Sequence, residues 1–213
     1  MSGHMSGNTA EQAEVDWVAS PERQELGEAL RRLLDVVVRT GAGPADLAAA
    51  ATIVDELTAR LAGPVLKRQF STAPSSYRSH MSLVGGLSHP IAPELMVTAD
   101  ENGGTGEVVV GKLFEGGPGL VHGGVVALLI DHAMGCVAAQ PDRPAMTVRL
   151  ALRYRRPTPI EVPLTVSVRL DRTEGRQLHL SATIAARGEV TVEADGIFLM
   201  LTSENVQTVF GPR

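Results

Sequence analysis

Val121-His122-Gly123-Gly124-Val125-Val126-Ala127-Leu128-Leu129-Ile130-Asp131-His132-Ala133-Met134-Gly135-Cys136-Val137-Ala138-Ala139 is the stretch on which the fold turns. Its apolar residues fall all round a wheel of about 3.6 residues per turn, which predicts a helix with no solvent face, placed inside the molecule. Asp131 lies mid-helix, too far in to cap the N-terminus. A buried carboxylate is paired, protonated or at work. Gly123 and Gly124 put bare backbone N–H groups at the helix start, where the dipole favours developing negative charge. An anion site and an isolated acid on one helix point first to an enzyme.

The flanks supply a sheet to surround that helix. Before it, strand signals run from Leu95 to Ala99 and from Gly106 to Phe114, with a turn over Glu101 to Gly104. After it, four more candidates follow: Met146 to Tyr154, Leu164 to Asp171, Gln177 to Ala185 and Val190 to Leu201. Glu174-Gly175-Arg176 and Arg187-Gly188 read as hairpin turns. The order predicts an α+β domain over 64–213, a curved antiparallel sheet wrapped around one long helix.

Further out, residues 1–19 read as disordered or loosely attached. Ser20-Pro21-Glu22 opens a helix with a cap, a proline and an early acid. Its stripe is Leu26, Leu30, Leu33, Leu34, Val37 and Val38. Pro44 and Asp46 open a second helix, with Leu47, Ala50, Val54, Leu57 and Leu61 on one face and Gly63-Pro64 as its stop. Residues 20–63 are therefore expected to form a helical hairpin that packs on the following domain or on another protomer. Residues 64–93 are loop-rich.

Composition narrows the function classes. The aromatic fraction is 3% against 44% hydrophobic, so the core is aliphatic and stacking platforms for bases are not expected. A net charge of −5 with no basic block argues against nucleic acid. Cys136 is the only cysteine, which fits a reducing compartment. No apolar signal segment or membrane-length run is present, so a cytoplasmic protein with no membrane partner is expected. His80, His89 and His179 have no metal-ligand spacing; no metal and no cofactor are expected.

His122-Gly123-Gly124 with Asp131, followed by Met146-Thr147 and the strand from Arg149 to Pro157, resembles the hotdog-fold acyl-CoA thioesterases. It is most similar to the PaaI-like group and to thioesterase-superfamily proteins with an H-G-G…D helix, over about residues 83–203. The resemblance implies a substrate, an acyl-CoA thioester, and roles for four residues. Gly123 gives the N–H that polarises the thioester carbonyl. Asp131 is the nucleophile or the general base for water. Thr147 offers a hydroxyl near that acid. His122 shapes the loop or contacts the region of the substrate carbonyl. It also implies a homodimer or dimer of dimers, with sheets joined edge to edge.

Physics agrees at one point. Eight residues separate Gly123 from Asp131, so their Cα atoms lie roughly 12 Å apart along the axis. One helix cannot both hold and attack one carbonyl, so a competent site takes Gly123 from one protomer and Asp131 from another.

Each residue has a plainer reading. Asp131 is a structural acid bonded to Thr147 or His132. Gly124 and Gly123 allow a tight start to the helix. Thr147 is a β-branched strand residue. His132 points about 100° away from Asp131 and is structural. Gly135 lets the helix approach a backbone or the pantetheine arm. Cys136 is a small core hydrophobe. Arg149, Arg153 and Arg156 either grip the phosphates of coenzyme A or belong to a solvated strand. The rival function is a non-catalytic acyl-CoA-binding or sensing protein on the same fold.

Overall fold

The computed structural model describes residues 20–63, 81–139, 144–202 and 204–206. The loosely attached segment expected over 1–19, the polar stretch 71–79 and His80 lie outside them.

Two helices come first, α1 (Pro21–Arg39) and α2 (Pro44–Leu61). The Ser20 side chain accepts from the Arg23 N–H, and proline stands in the first turn of each helix, as the residue pattern predicts. α1 lies on the body of the protein. Arg31 donates to the carbonyls of Leu87 and His89 and pairs with Glu94, and Arg39 pairs with Glu161. Gly27 is buried against the Ser88 backbone, where a Cβ would come within 3.1 Å. α2 buries none of its residues, and Leu47, Ile53, Val54 and Leu61 are exposed.

The sheet has six antiparallel strands: β1 (Met96–Ala99), β2 (Gly103–Val109), β3 (Ala145–Tyr154), β4 (Pro163–Glu174), β5 (Gln177–Ala186) and β6 (Glu189–Met200). Their spatial order is β1-β2-β4-β5-β6-β3. The long helix α3 (Gly123–Ala138) packs against the inner face. This is the curved sheet around one helix that the element order predicts, and it agrees with the hotdog fold that the resemblance implies.

β5 alternates buried and half-buried residues along its length, as a strand with one covered face must. Leu178, Leu180, Ala182 and Ile184 meet Leu129, Ile130, Ala133 and Met134 of α3 in one aliphatic core. Each large side chain so buried contributes about 1.5–3 kcal/mol. Gly196 lets the helix approach β6, since a Cβ there would stand 2.5 Å from the Met134 sulfur.

Two expectations need correction. The second strand was expected over Gly106 to Phe114 but runs from Gly103 to Val109, with a single 3₁₀ turn at Lys112–Phe114. The glycines taken for a turn are inside the strand because β2 is squeezed between its neighbours. A Cβ at Gly103 would lie 2.2 Å from the Val168 carbonyl, and one at Gly106 would lie 2.4 Å from that of Met96. The helix α3, expected to have no solvent face, has one. Gly123 and Gly124 are exposed, and Ala127, Leu128, Asp131 and Gly135 are only half-buried. These residues recur at helical spacing, and the sheet ends beside them at the edge strand β3.

Candidate active site

The site is built on α3 and β3. At one end, the Thr147 hydroxyl donates to Asp131 Oδ1 over 2.7 Å. At the other, the Tyr154 hydroxyl donates to the Gly123 carbonyl over 2.8 Å. The strand therefore runs antiparallel to the helix, holding its start with one residue and its acid with another.

A β-bulge aims Thr147. Directly opposed residues on an antiparallel pair share a face. Thr147 opposes the buried Phe198, while Arg149 opposes Ile197, the register shifting between them. Without the bulge Thr147 and Arg149 would share a face, being two residues apart. With it, Thr147 faces α3 and Arg149 faces outward, together with Ala151 and Arg153 opposite Asp195 and Glu193. Beyond the bulge Leu150, Leu152 and Tyr154 face inward, opposite Gly196, Ala194 and Val192.

The start of α3 is capped by an unusual residue. His122 has φ −57° and ψ 133°, and its Nδ1 accepts from the Gly124 N–H over 3.0 Å. A neutral ring so placed carries its proton on Nε2. Val125 and Val126 both donate to the His122 carbonyl. Among the described residues, nothing accepts from the Gly123 N–H. It is the orphan donor of the first turn, aimed outward from a helix N-terminus. A Cβ at Gly124 would meet His122 Nδ1 at 3.2 Å, so the ring would have to shift by a few tenths of an ångström to accommodate it. A cavity of about 320 Å³ opens beside this turn, lined in part by Gly123, Val126, Tyr154, Arg156 and Thr158.

His132 faces away from this site, with Nε2 3.6 Å from the Cys136 sulfur. Burial pushes its pKa below the ordinary value, outweighing a hydrogen bond to the Leu95 backbone and the charge of Asp131. Burial likewise pushes the Cys136 thiol up, away from reactivity. Gly135 meets only the Phe198 ring, at 3.9 Å from a built Cβ, so no close approach within the chain requires glycine there.

The structure brings Thr147 to Asp131 and His122 to Gly124, and it lines a cavity with Gly123 and Arg156. It does not bring Arg149 or Arg153 to the inner face. Arg155 pairs with Glu193, and Arg156 lies 3.6 Å from Glu189. Asp131 is half-buried rather than sealed in, because its face of α3 lies at the open edge of the sheet. Tyr154 was missed in sequence, although the inward alternation Leu150, Leu152, Tyr154 carries a signal. A polar-tipped aromatic ends an inner row in a chain with few aromatics.

Among the described residues no three His, Cys, Asp or Glu side chains gather as a metal site, and no helix is long and apolar enough to cross a membrane.

The family model of the thioesterase superfamily matches residues 118–193, from the loop before α3 into β6. Acyl-coenzyme A thioesterase THEM4 of Bos taurus is 36% identical over 100 residues, 46% of this chain and 41% of that protein. The Mus musculus THEM4 is 38% identical over 105 residues, 46% of this chain and 45% of that protein. The chain thus spans less than half the length of these curated relatives. A crystal structure of a thioesterase superfamily protein is 30% identical, with a TM-score of 0.74, covering 85% of this chain and 96% of that one.

Proposed function

Because the chain belongs to the thioesterase superfamily, we propose that it hydrolyses an acyl-CoA thioester to the free acid and coenzyme A. The observation that carries this reading is the division of labour along β3. The middle of α3 offers a hydrogen-bonded carboxylate, Asp131, and its N-terminus offers an unpartnered N–H, Gly123.

The thioester oxygen sits on the Gly123 N–H, where negative charge builds as the carbonyl becomes tetrahedral. Asp131, held by Thr147, either attacks the carbonyl carbon or takes a proton from a water that attacks it. Collapse breaks the C–S bond and the thiolate of coenzyme A leaves, collecting a proton. In the first route water then cleaves the mixed anhydride on Asp131. His122 serves by capping the helix and keeping Gly124 occupied, which leaves the neighbouring N–H for substrate. Arg156 borders the cavity beside Gly123. Arg149 and Arg153, on the outer face, take no part in this step.

The site is shared by two protomers. β3 is an edge strand with Met146, Val148 and Tyr154 exposed, Val148 to 56%. An exposed apolar edge of this length is a template for pairing with another chain. An antiparallel pairing of two β3 edges, with Thr147 across from Tyr154 of the partner subunit, brings each Asp131 toward Gly123 of the partner subunit. That arrangement spans the roughly 12 Å that one helix cannot close.

Turnover against acyl-CoA substrates of graded chain length, read as thiol release, tests the reading. Release of coenzyme A at the site supports it; binding without release on every chain length contradicts it and favours a sensor. A single turnover in isotope-labelled water then probes the two routes. Label in Asp131 marks carboxylate attack followed by water at the aspartyl carbonyl of the anhydride; where label enters the product acid alone, trapping of the anhydride by hydroxylamine separates carboxylate attack from base catalysis.

A further inference from the structure

The peptide joining Gly123 to Gly124 is held at both ends by side chains. Its N–H donates to His122 Nδ1 over 3.0 Å, and its C=O accepts from the Tyr154 hydroxyl over 2.8 Å. Two consecutive glycines make this the least restrained link in α3, because neither has a side chain to pack or a steric preference to fix φ. Helix termini fray, and an oxyanion donor is effective only when its direction is fixed before the substrate arrives. The Gly123 N–H has no partner of its own to fix it. Its direction follows from the flanking residue, His122, and from the peptide that comes next.

We propose that Tyr154 is a positioning residue. Its hydroxyl, acting with the His122 imidazole, clamps the Gly123–Gly124 peptide and so aims the Gly123 N–H at the thioester oxygen. This rests on the hydrolytic reading above. Tyr154 suits the task on three counts. It ends the inward row of β3, so the sheet fixes its backbone. Its ring lies against Gly123, with the hydroxyl 3.6 Å from a built Cβ, so bond and packing act on the same residue. A phenol hydroxyl has no cationic form, so it restrains the carbonyl without placing a positive charge beside the N–H and competing for the oxyanion.

The consequence is that one strand organises both halves of the chemistry. Thr147 orients the acid and Tyr154 orients the anion site. In the shared arrangement, each site takes Thr147 with Asp131 from one protomer and Tyr154 with Gly123 from the partner.

The test compares Tyr154→Phe, which keeps the ring and removes the hydroxyl, with Tyr154→Leu, which removes both. For Tyr154→Phe the clamp predicts a fall in kcat of roughly tenfold, the size of one lost hydrogen bond. KM should stay within about twofold, because an interaction used only in the transition state leaves ground-state binding alone. Tyr154→Leu should lose kcat further. Unchanged kcat in Tyr154→Phe overturns the proposal. So does a raised KM at constant kcat, which would make Tyr154 a substrate contact.

A second measurement does not depend on turnover. Amide hydrogen exchange at Gly124 should quicken several-fold in Tyr154→Phe, while amides in the middle of α3 stay protected. Exchange at the wild-type rate overturns the clamp even if the protein hydrolyses thioesters. Quickened exchange in a protein that releases no coenzyme A upholds the clamp and defeats the hydrolytic reading instead.

Discussion

The Asp131 carboxylate has two oxygens, and the Thr147 hydroxyl bonds Oδ1. Asp131→Asn is nearly isosteric but can neither attack nor accept a proton. We expect turnover to fall by about hundredfold or more with the fold kept. A variant retaining over a tenth of wild-type kcat would contradict the role. Thr147→Val keeps a β-branched side chain and deletes one hydrogen bond, so kcat should fall by about tenfold; an unchanged rate returns Thr147 to a plain strand residue. His132 acts on stability instead. Its folded pKa is depressed, chiefly by burial, so the unfolded chain binds a proton that the folded protein refuses. Stability therefore falls as pH drops below about 6.5, until the depressed folded value is passed. The loss of Tm between neutral pH and pH about 5.5 should shrink in His132→Gln; an equal loss in both proteins would contradict this. At this scale the sequence was informative about which side chains meet. Asp131 beside a β-branched hydroxyl residue was one of the pairings open to it, and His132 pointed away as the wheel predicts. The direction of Thr147 was not legible, since a bulge obeys no side-chain period.

Among the elements, the first turn of α3 carries the sharpest test. Gly124→Ala replaces a poor helix former by the best one, a gain of about 1 kcal/mol in a helix interior. Yet its Cβ would press on the His122 ring, at 3.2 Å from Nδ1 and 3.3 Å from Cε1. The variant should therefore melt no lower than wild type while losing about threefold or more in kcat. Unaltered kcat would mean that the His122 cap has no part in arranging the Gly123 N–H. The elements themselves were mostly readable. Ser20 and Pro21 announced α1, Pro44 announced α2, and Gly175 and Gly188 sit at positive φ in the predicted hairpin turns. β2 was misread because glycine signals a turn when only sequence is weighed. Here the same glycines answer a crowding between strands that only tertiary structure creates. The cap was missed for a similar reason: histidine is not among the usual N-cap residues.

For the whole molecule, the open face of α3 beside the edge strand β3 is the feature the sequence could not show. An all-round apolar wheel predicts complete burial. One chain's sheet stops short of providing it, and in the proposed shared site a second copy supplies the cover. α2 leaves the protomer with Leu47, Val54 and Leu61 exposed, in keeping with a chain that does not finish its packing alone. The shared site can be tested by mixing two differently disabled protomers. One carries Asp131→Asn. The other carries Gly123→Pro, which deletes the N–H. Proline is tolerated in the first turn of a helix, and His122 already holds the extended ψ of 133° that a following proline favours. Each parent should be nearly inactive. In a mixed twofold dimer one site carries both defects and the other carries neither. Random pairing gives about half mixed dimers, so co-refolding equal amounts should restore about a quarter of wild-type activity. A mixture as inactive as its parents, with mixed dimers demonstrated by mass spectrometry, would contradict a site built from Gly123 of one protomer and Asp131 of the other.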